Sequence, residues 1–141
     1  MSNQYRMLKA RQQEEFNAFP KFFAFSHEQF AEGMRKLGLD PKETDKISAL
    51  GDTGGFFRKT DVPALKAMFE RHHSEIKEAI EADKRGDGFI YDMFAYELAN
   101  HEYCYTEDPS EALQALRLTP EDIENNPKMR RALKRAMARQ K

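Results

Sequence analysis

Large aromatic side chains constrain the fold of this chain more than any other feature, because they are concentrated in two short segments. Twelve of the sixteen aromatic residues lie in two clusters. The first comprises Phe16, Phe19, Phe22, Phe23, Phe25 and Phe30, and the second comprises Phe89, Tyr91, Phe94, Tyr96, Tyr103 and Tyr105. Each ring contributes about 1.5–3 kcal/mol when it is fully buried. The clusters therefore indicate where a core forms, and rings in excess of the core would form a contact surface.

The two clusters differ in their chemistry. The first contains only phenylalanine and surrounds a proline and a predicted helix start, so we expect it to be core. The second mixes four tyrosines with Asp92, Glu97, Asn100 and His101. Tyrosine combines an apolar ring with a polar tip and is typical of interfaces. We therefore expect a partner-binding surface in the second cluster, formed by Tyr91, Asp92, Tyr96, Asn100, Tyr103 and Tyr105.

The composition is that of a folded globular domain. The chain has 141 residues, 40% of them hydrophobic and 33% charged, which excludes a disordered chain and predicts one domain. No apolar run approaches the roughly 20 residues of a membrane-spanning helix, and the polar N-terminal segment shows no secretory signal. The only cysteine, Cys104, suits a reducing compartment. We expect a cytoplasmic protein with no membrane partner and no cofactor.

The hydrophobic periodicity predicts a mainly α (α+β) fold, a compact helical domain with one small β-hairpin. The longest predicted helices cover residues 4–18, 62–83 and 89–101. Asp40 followed by Pro41 predicts another helix start, since a capping residue and a proline at the first helical position favour one. Residues 1–127 are predicted to form the compact domain, with the hairpin at about 47–59. Residues 128–141 are predicted to form a basic amphipathic C-terminal helix.

A glycine-rich segment, residues 51–55, separates the two arms of the predicted hairpin. Glycine tolerates the positive φ of tight turns, so a hairpin tip explains this segment. The alternative is a phosphate-binding loop that uses Arg58 and Lys59, but the segment lacks the lysine position of a P-loop. Exposed turns frequently contact partners. We therefore add Asp52, Arg58 and Lys59 to the predicted partner-binding residues.

The C-terminal segment carries a strong charge asymmetry, since residues 128–141 hold seven basic side chains and no acidic one. A helix with one cationic face can bind the phosphates of a nucleic acid. Arg130, Arg131, Lys134 and Arg135 are spaced for that role. The alternative is that the helix packs on the acidic remainder of the chain while its cations form a solvated face. The sequence leaves both alternatives open.

His72, Glu97 and His101 are the candidate metal ligands. If the helices at 62–83 and 89–101 form an antiparallel hairpin, the two imidazoles lie at the same height, and Glu97 and His101 share a helix face. Two imidazoles and a carboxylate suit zinc or a non-haem metal. A structural role is favoured, because helical Glu–His pairs usually form hydrogen bonds and no HExxH or CxxC motif is present. We predict no metal and no catalytic residue, with a metal-dependent enzyme as an alternative function.

Three segments carry a wider pattern: EFNAFPKFFAFSHEQFAEGMRKLGL (15–39), ISALGDTGGFFRKTD (47–61) and GFIYDMFAYELANHEYCYTEDPSEALQAL (88–116). Together they resemble a family of small uncharacterised proteins encoded by phages and mobile elements of Firmicutes. The resemblance brings no assigned catalytic residue. It implies a non-catalytic accessory protein that binds a host protein or protein–nucleic-acid complex, as an anti-CRISPR-type inhibitor does. A nucleic-acid-binding accessory protein that uses the basic C-terminal helix is the alternative.

Overall fold

The computed structural model describes residues 3–140, and α-helix is its main element. The α-helices of this range are α1 Gln4–Ala18, α2 His27–Lys36, α3 Val62–Ala82, α4 Phe89–Asn100, α5 Tyr103–Thr106, α6 Ser110–Ala115, α7 Pro120–Glu124 and α8 Pro127–Ala138. The strands are β1 Phe22–Phe23, β2 Ile47–Ala49 and β3 Gly55–Arg58, and short 3-10 helices cover Thr44–Lys46 and Lys59–Asp61. The predicted mainly α fold with a small hairpin is confirmed, and β1 extends the hairpin to three strands. None of the helices within residues 3–140 is long and apolar enough to cross a membrane.

Short polar side chains begin several helices by accepting backbone N–H groups that the first helical turn leaves unpaired. Before α2, Oγ of Ser26 accepts the N–H of Gln29 at 3.2 Å. At α7, Thr119 and Asp122 form a reciprocal capping box, in which each side chain accepts the backbone N–H of the other residue. These local bonds explain why helix starts are legible in the sequence.

The predicted helix start at Asp40 is wrong. Oδ1 of Asp40 accepts the N–H of Lys42 at 2.9 Å, and Oε1 of Glu43 accepts the N–H of Asp40 at 2.8 Å. Because these side chains satisfy the backbone in a local turn, the chain does not continue into an α-helix. One short 3-10 helix, Thr44–Lys46, follows instead.

The chain divides into two compact units. We call Glu14–His73 the continuous unit, and Met1–Gln13 together with Ser74–Lys141 the split unit. Within the split unit, the side-chain amide of Gln12 donates to Oε1 of Glu75 at 3.1 Å. The two segments of the split unit therefore lie side by side at the point where the chain leaves the unit and returns to it.

A three-stranded antiparallel sheet in the order β1-β3-β2 is the centre of the continuous unit. Successive residues of a strand face opposite sides of a sheet, so each side has its own cluster. On one side the sheet packs with α2 in a buried cluster of Phe22, Met34, Leu37 and Ile47. On the other side Phe57 packs with Leu65 and Met68 of α3, joined by Phe16, Phe19 and Leu50. The sheet is thus covered on both sides, but by different helices.

Helix α4 is the centre of the split unit. Its buried residues are Phe89, Ile90, Met93, Phe94, Glu97 and Leu98. Helix α8 packs along α4 and buries Met129, Ala132, Leu133 and Ala136. Tyr5 of α1 and Leu113 of α6 belong to the same apolar cluster. The central helix is therefore enclosed by three others, and this leaves few of its side chains free to face solvent.

Candidate interaction surfaces

Two phenylalanines of the first aromatic cluster form an exposed surface on the continuous unit. Phe23 is 46% exposed and Phe25 is 79% exposed. They alternate along the chain with the buried Phe22 and the half-buried Ala24, so both rings lie on the same side of β1 and its continuation. We call this pair the Phe23–Phe25 surface.

The glycines at the start of β3 support both rings. Gly54 has a φ of +80°, and a Cβ at this position would lie 2.5 Å from Cε1 of Phe25. A Cβ at Gly55 would lie 2.7 Å from Cε1 of Phe23. The rings therefore occupy the space that side chains at these two positions would need. Because they rest on backbone, less conformational entropy is lost when a partner covers them.

This exposure corrects the expectation that the first cluster is core. Phe22 is buried and Phe30 is half-buried, but Phe23 and Phe25 are exposed. Phe23 lies opposite Gly55 in the sheet, on the same side as the buried Phe57. The helices that cover that side at Phe57 leave it open at Phe23. Strand alternation within Phe22-Phe23-Ala24-Phe25 is the sequence signal that could have separated the buried ring from the exposed ones.

The polar residues predicted in the hairpin differ in their availability. Asp52 and Lys59 are exposed. Arg58 is half-buried, and its Nε donates to Oδ2 of Asp61 at 2.9 Å. A second Arg58 nitrogen donates to the carbonyl of Leu37 at 3.5 Å. Asp52 and Lys59 are thus open to a partner, whereas Arg58 already binds groups of its own unit.

The tyrosines predicted to form a surface on the split unit are partly packed. Tyr91, Tyr96 and Tyr103 are half-buried and contact the apolar cluster around α4. The Tyr96 ring lies 5.5 Å from the ring of Tyr5. Tyr105 is 85% exposed. Three of the four tyrosines therefore contribute to the core of the unit as well as to its surface.

The polar residues between these tyrosines are held differently. Asn100 is exposed, and Asp92 is half-buried. Oδ2 of Asp92 accepts the backbone N–H of Gln4 at 3.3 Å. Burial raises the pKa of the Asp92 carboxyl, and the bond from Gln4 partly opposes this rise. Asn100 and Tyr105 remain the accessible members of the predicted tyrosine surface.

Glu97 is a buried carboxylate whose partner comes from the beginning of the sequence. Oη of Tyr5 donates to Oε2 of Glu97 at 2.6 Å. Burial raises the pKa of Tyr5, and the hydrogen bond to Glu97 raises it further. Nε2 of His101 lies 4.0 Å from Oε1 of Glu97. Glu97 therefore connects α4 to α1. No local sequence pattern predicts its bond to Tyr5.

His72, the third candidate metal ligand, lies in the continuous unit and pairs with Glu15. Nε2 of His72 is 2.6 Å from Oε1 of Glu15, and Arg71 contacts the other carboxylate oxygen. The hydrogen bonds from Arg71 and His72 lower the pKa of Glu15 from 4.5 to about 2. Within residues 3–140, no group of three His, Cys, Asp or Glu side chains is arranged to hold a metal ion.

Helix α8 presents its cations to solvent. Its apolar residues are buried against the split unit, whereas Arg130, Arg131, Lys134 and Arg135 are exposed. The guanidinium of Arg135 lies 5.9 Å from the centre of the Tyr91 ring, within the range of a cation–π interaction. The helix therefore packs through its apolar face, as one of the two alternatives predicted, and this packing leaves the basic face accessible.

Comparison with known proteins finds one family whose model matches this chain. The model of DUF7659, a family of unknown function, matches residues 4–139. No curated protein and no solved structure matches the chain. The match runs from the first residue of α1 past the end of α8, so it includes both units.

Proposed function

We propose that this chain, which belongs to the DUF7659 family, is a non-catalytic accessory protein that binds a host protein complex. It is encoded by phages or mobile elements of Firmicutes, acts in the cytoplasm of the host cell, and inhibits a defence system of the CRISPR type. The resemblance of residues 15–39, 47–61 and 88–116 to small phage-encoded proteins supports the origin. The Phe23–Phe25 surface supports the binding activity.

The exposure of Phe23 and Phe25 is the observation that carries this proposal. Burial of a phenylalanine side chain is worth about 1.5–3 kcal/mol, so two adjacent exposed rings forgo a large stabilisation. Neighbouring exposed apolar side chains mark interaction sites more often than isolated ones do. Gly54 and Gly55 hold the rings in place, which is the arrangement expected of a preformed contact.

The chemistry of these side chains favours a protein partner. A phenyl ring has no charge and no hydrogen-bond donor, so it fits an apolar pocket rather than a phosphate or a sugar. Interfaces between proteins combine such an aromatic centre with a polar rim. Asp52 lies between β2 and β3 and Lys59 directly follows β3, and both are exposed and available for that rim.

A capture experiment with matched variants tests the proposal. The immobilised wild-type chain is expected to retain one stoichiometric complex from a Firmicutes lysate and to restore phage plaquing on CRISPR-immune cells. The double variant Phe23→Ser, Phe25→Ser is expected to lose both activities while its circular dichroism spectrum stays unchanged. Met7→Gln is the matched control, because Met7 is an apolar residue of the split unit and is 61% exposed.

Three results would contradict this assignment. Equal capture by the wild-type chain and the double phenylalanine variant would remove the Phe23–Phe25 surface from the interface. Loss of capture in Tyr105→Ser alone would place the interface on the tyrosines of the split unit instead. A wild-type chain that leaves CRISPR immunity intact would contradict the inhibitory role.

A further inference from the structure

The exposed face of α8 carries cations that have no acidic partner. Arg130, Arg131, Lys134 and Arg135 all lie on this face. Within residues 3–140, none of the basic side chains of α8 forms a salt bridge with a carboxylate. The preceding helix, α7, contains three acidic residues, so their absence from the pairing is not due to a lack of nearby acids.

Two of these four cations, Arg131 and Lys134, form no hydrogen bond or ion pair within residues 3–140 that would stabilise the fold. Lys128 and Arg130 donate to backbone carbonyls, and Arg135 lies over the Tyr91 ring. Arg131 and Lys134, in contrast, make no hydrogen bond or ion pair with any residue in the described range. Neither charge therefore takes part in a short-range polar contact within the described part of the unit.

The spacing of the cations is unfavourable for the helix itself. Arg130 and Lys134 are four residues apart, and so are Arg131 and Arg135. Like charges at this spacing are neighbours on the helix surface and repel each other. A polyanion laid along the helix would neutralise both rows at once, whereas a single carboxylate would reach only one end of them.

We propose that the basic face of α8 binds the phosphate backbone of a nucleic acid without sequence preference. Basic residues clustered along one helix are the electrostatic footprint of such binding. Three of the four cations are arginines, whose guanidinium groups bind phosphate oxygens in pairs. An anionic membrane fits less well, because Met129, Leu133 and Ala136 are buried and the helix has no apolar face to insert.

The proposal makes a quantitative statement about salt. If each of the four cations neutralises one phosphate of duplex DNA, the logarithm of the association constant falls with the logarithm of the salt concentration with a slope of about −3.6. The affinity then decreases about 150-fold between 50 and 200 mM salt. Removal of two cations changes the slope to about −1.8.

Fluorescence anisotropy of the full chain with a labelled duplex DNA of mixed sequence tests this. The variant Arg131→Gln, Lys134→Gln removes two charges that make no described contact, and glutamine retains a good helix propensity. Lys9→Gln, Lys77→Gln is the matched control, because it removes two exposed cations from other helices of the same unit. The wild-type chain and the control are expected to share the steep salt dependence, and the α8 variant is expected to lose half of the slope.

The outcomes distinguish nucleic acid from the other anionic partners. Failure of the wild-type chain to bind DNA at 50 mM salt would overturn the proposal, and so would an identical slope for the α8 variant. Binding to phosphatidylserine vesicles without binding to DNA would replace the nucleic acid with a membrane surface. The inference is independent of the proposed function, since the Phe23→Ser, Phe25→Ser variant leaves all cations of α8 in place.

Discussion

The first aromatic cluster crosses a strand and the second follows a helix, and the two arrangements expose different rings. On β1 and its continuation, Phe22 is buried while Phe23 and Phe25 reach solvent. On α4, Phe89 and Phe94 are buried. The cluster made only of phenylalanine thus has two exposed rings two positions apart, although phenylalanine is more apolar than the tyrosine of the other cluster.

The difference shows that the covering of an element decides burial more than the hydrophobicity of its residues does. A strand directs neighbouring side chains to opposite sides, and a ring stays exposed wherever one side is left open. Helix α4 has α1, α6 and α8 around it, so even its Glu97 is buried. The exposed fraction of a ring therefore reports on the neighbouring elements, which lie far away in the sequence.

The largest difference in stability is expected between two single variants, one that removes a buried ring of the second cluster and one that removes an exposed ring of the first. Phe94 is 0% exposed, so Phe94→Ala is expected to lower the free energy of unfolding by about 3–5 kcal/mol. Phe25 is 79% exposed, and Phe25→Ala is expected to change it by no more than about 0.5 kcal/mol. Urea unfolding followed by circular dichroism measures both values. Similar losses for the two variants would break the comparison.

A smaller effect is expected where the strand region is tightly packed. A Cβ at Gly33 of α2 would overlap the ring of Phe22, the buried member of the first cluster. Overpacking costs about 1–3 kcal/mol, and the better helix propensity of alanine offsets about 1 kcal/mol of that cost. Gly33→Ala is therefore expected to lower the unfolding free energy, while Glu32→Ala on the exposed face of α2 stays within about 0.5 kcal/mol of the wild type. A more stable Gly33→Ala variant would show that Phe22 is loosely held.

The smallest effect concerns the ionic contacts of the continuous unit, which contrast with the buried Tyr5–Glu97 bond of the split unit. The pKa of Glu15 is lowered from 4.5 to about 2, so the folded state favours its ionised form. The resulting stabilisation is present above pH 4.5 and is lost as the pH falls toward 2. Glu15→Gln is expected to flatten the decrease of Tm over this interval. Glu14→Gln, a change at the exposed neighbouring residue, is expected to leave the decrease as it is in the wild type.

Local sequence signals were sufficient for most of the helices. The predicted helix at 4–18 has the bounds of α1, and the helices predicted at 62–83 and 89–101 end within one residue of α3 and α4. Capping side chains and apolar spacing act within a few residues, so a single sequence displays them. The glycines between β2 and β3 made the hairpin predictable for the same reason.

Contacts between distant residues were not predictable. The pairing of β1 with β3 joins Phe22 to Phe56, and the bond from Tyr5 to Glu97 joins residues 92 positions apart. In neither case does the sequence around one residue indicate which distant residue it contacts. The interpretation of the first cluster as core was wrong for Phe23 and Phe25, because no local pattern shows which side of β1 the helices cover.

Nε2 of Gln12 lies 3.1 Å from Oε1 of Glu75. This bond marks the place where the polypeptide leaves the split unit and returns to it. A module that enters and leaves its host at one point is the usual layout of a domain insertion. If residues 14–73 were replaced by a linker of a few glycines between Gln13 and Ser74, the remaining parts of α1 and α3 would form a helical hairpin. Among the described residues, the apolar cluster around α4 contains no residue of segment 14–73, so the core of the split unit is built without the segment that interrupts its sequence.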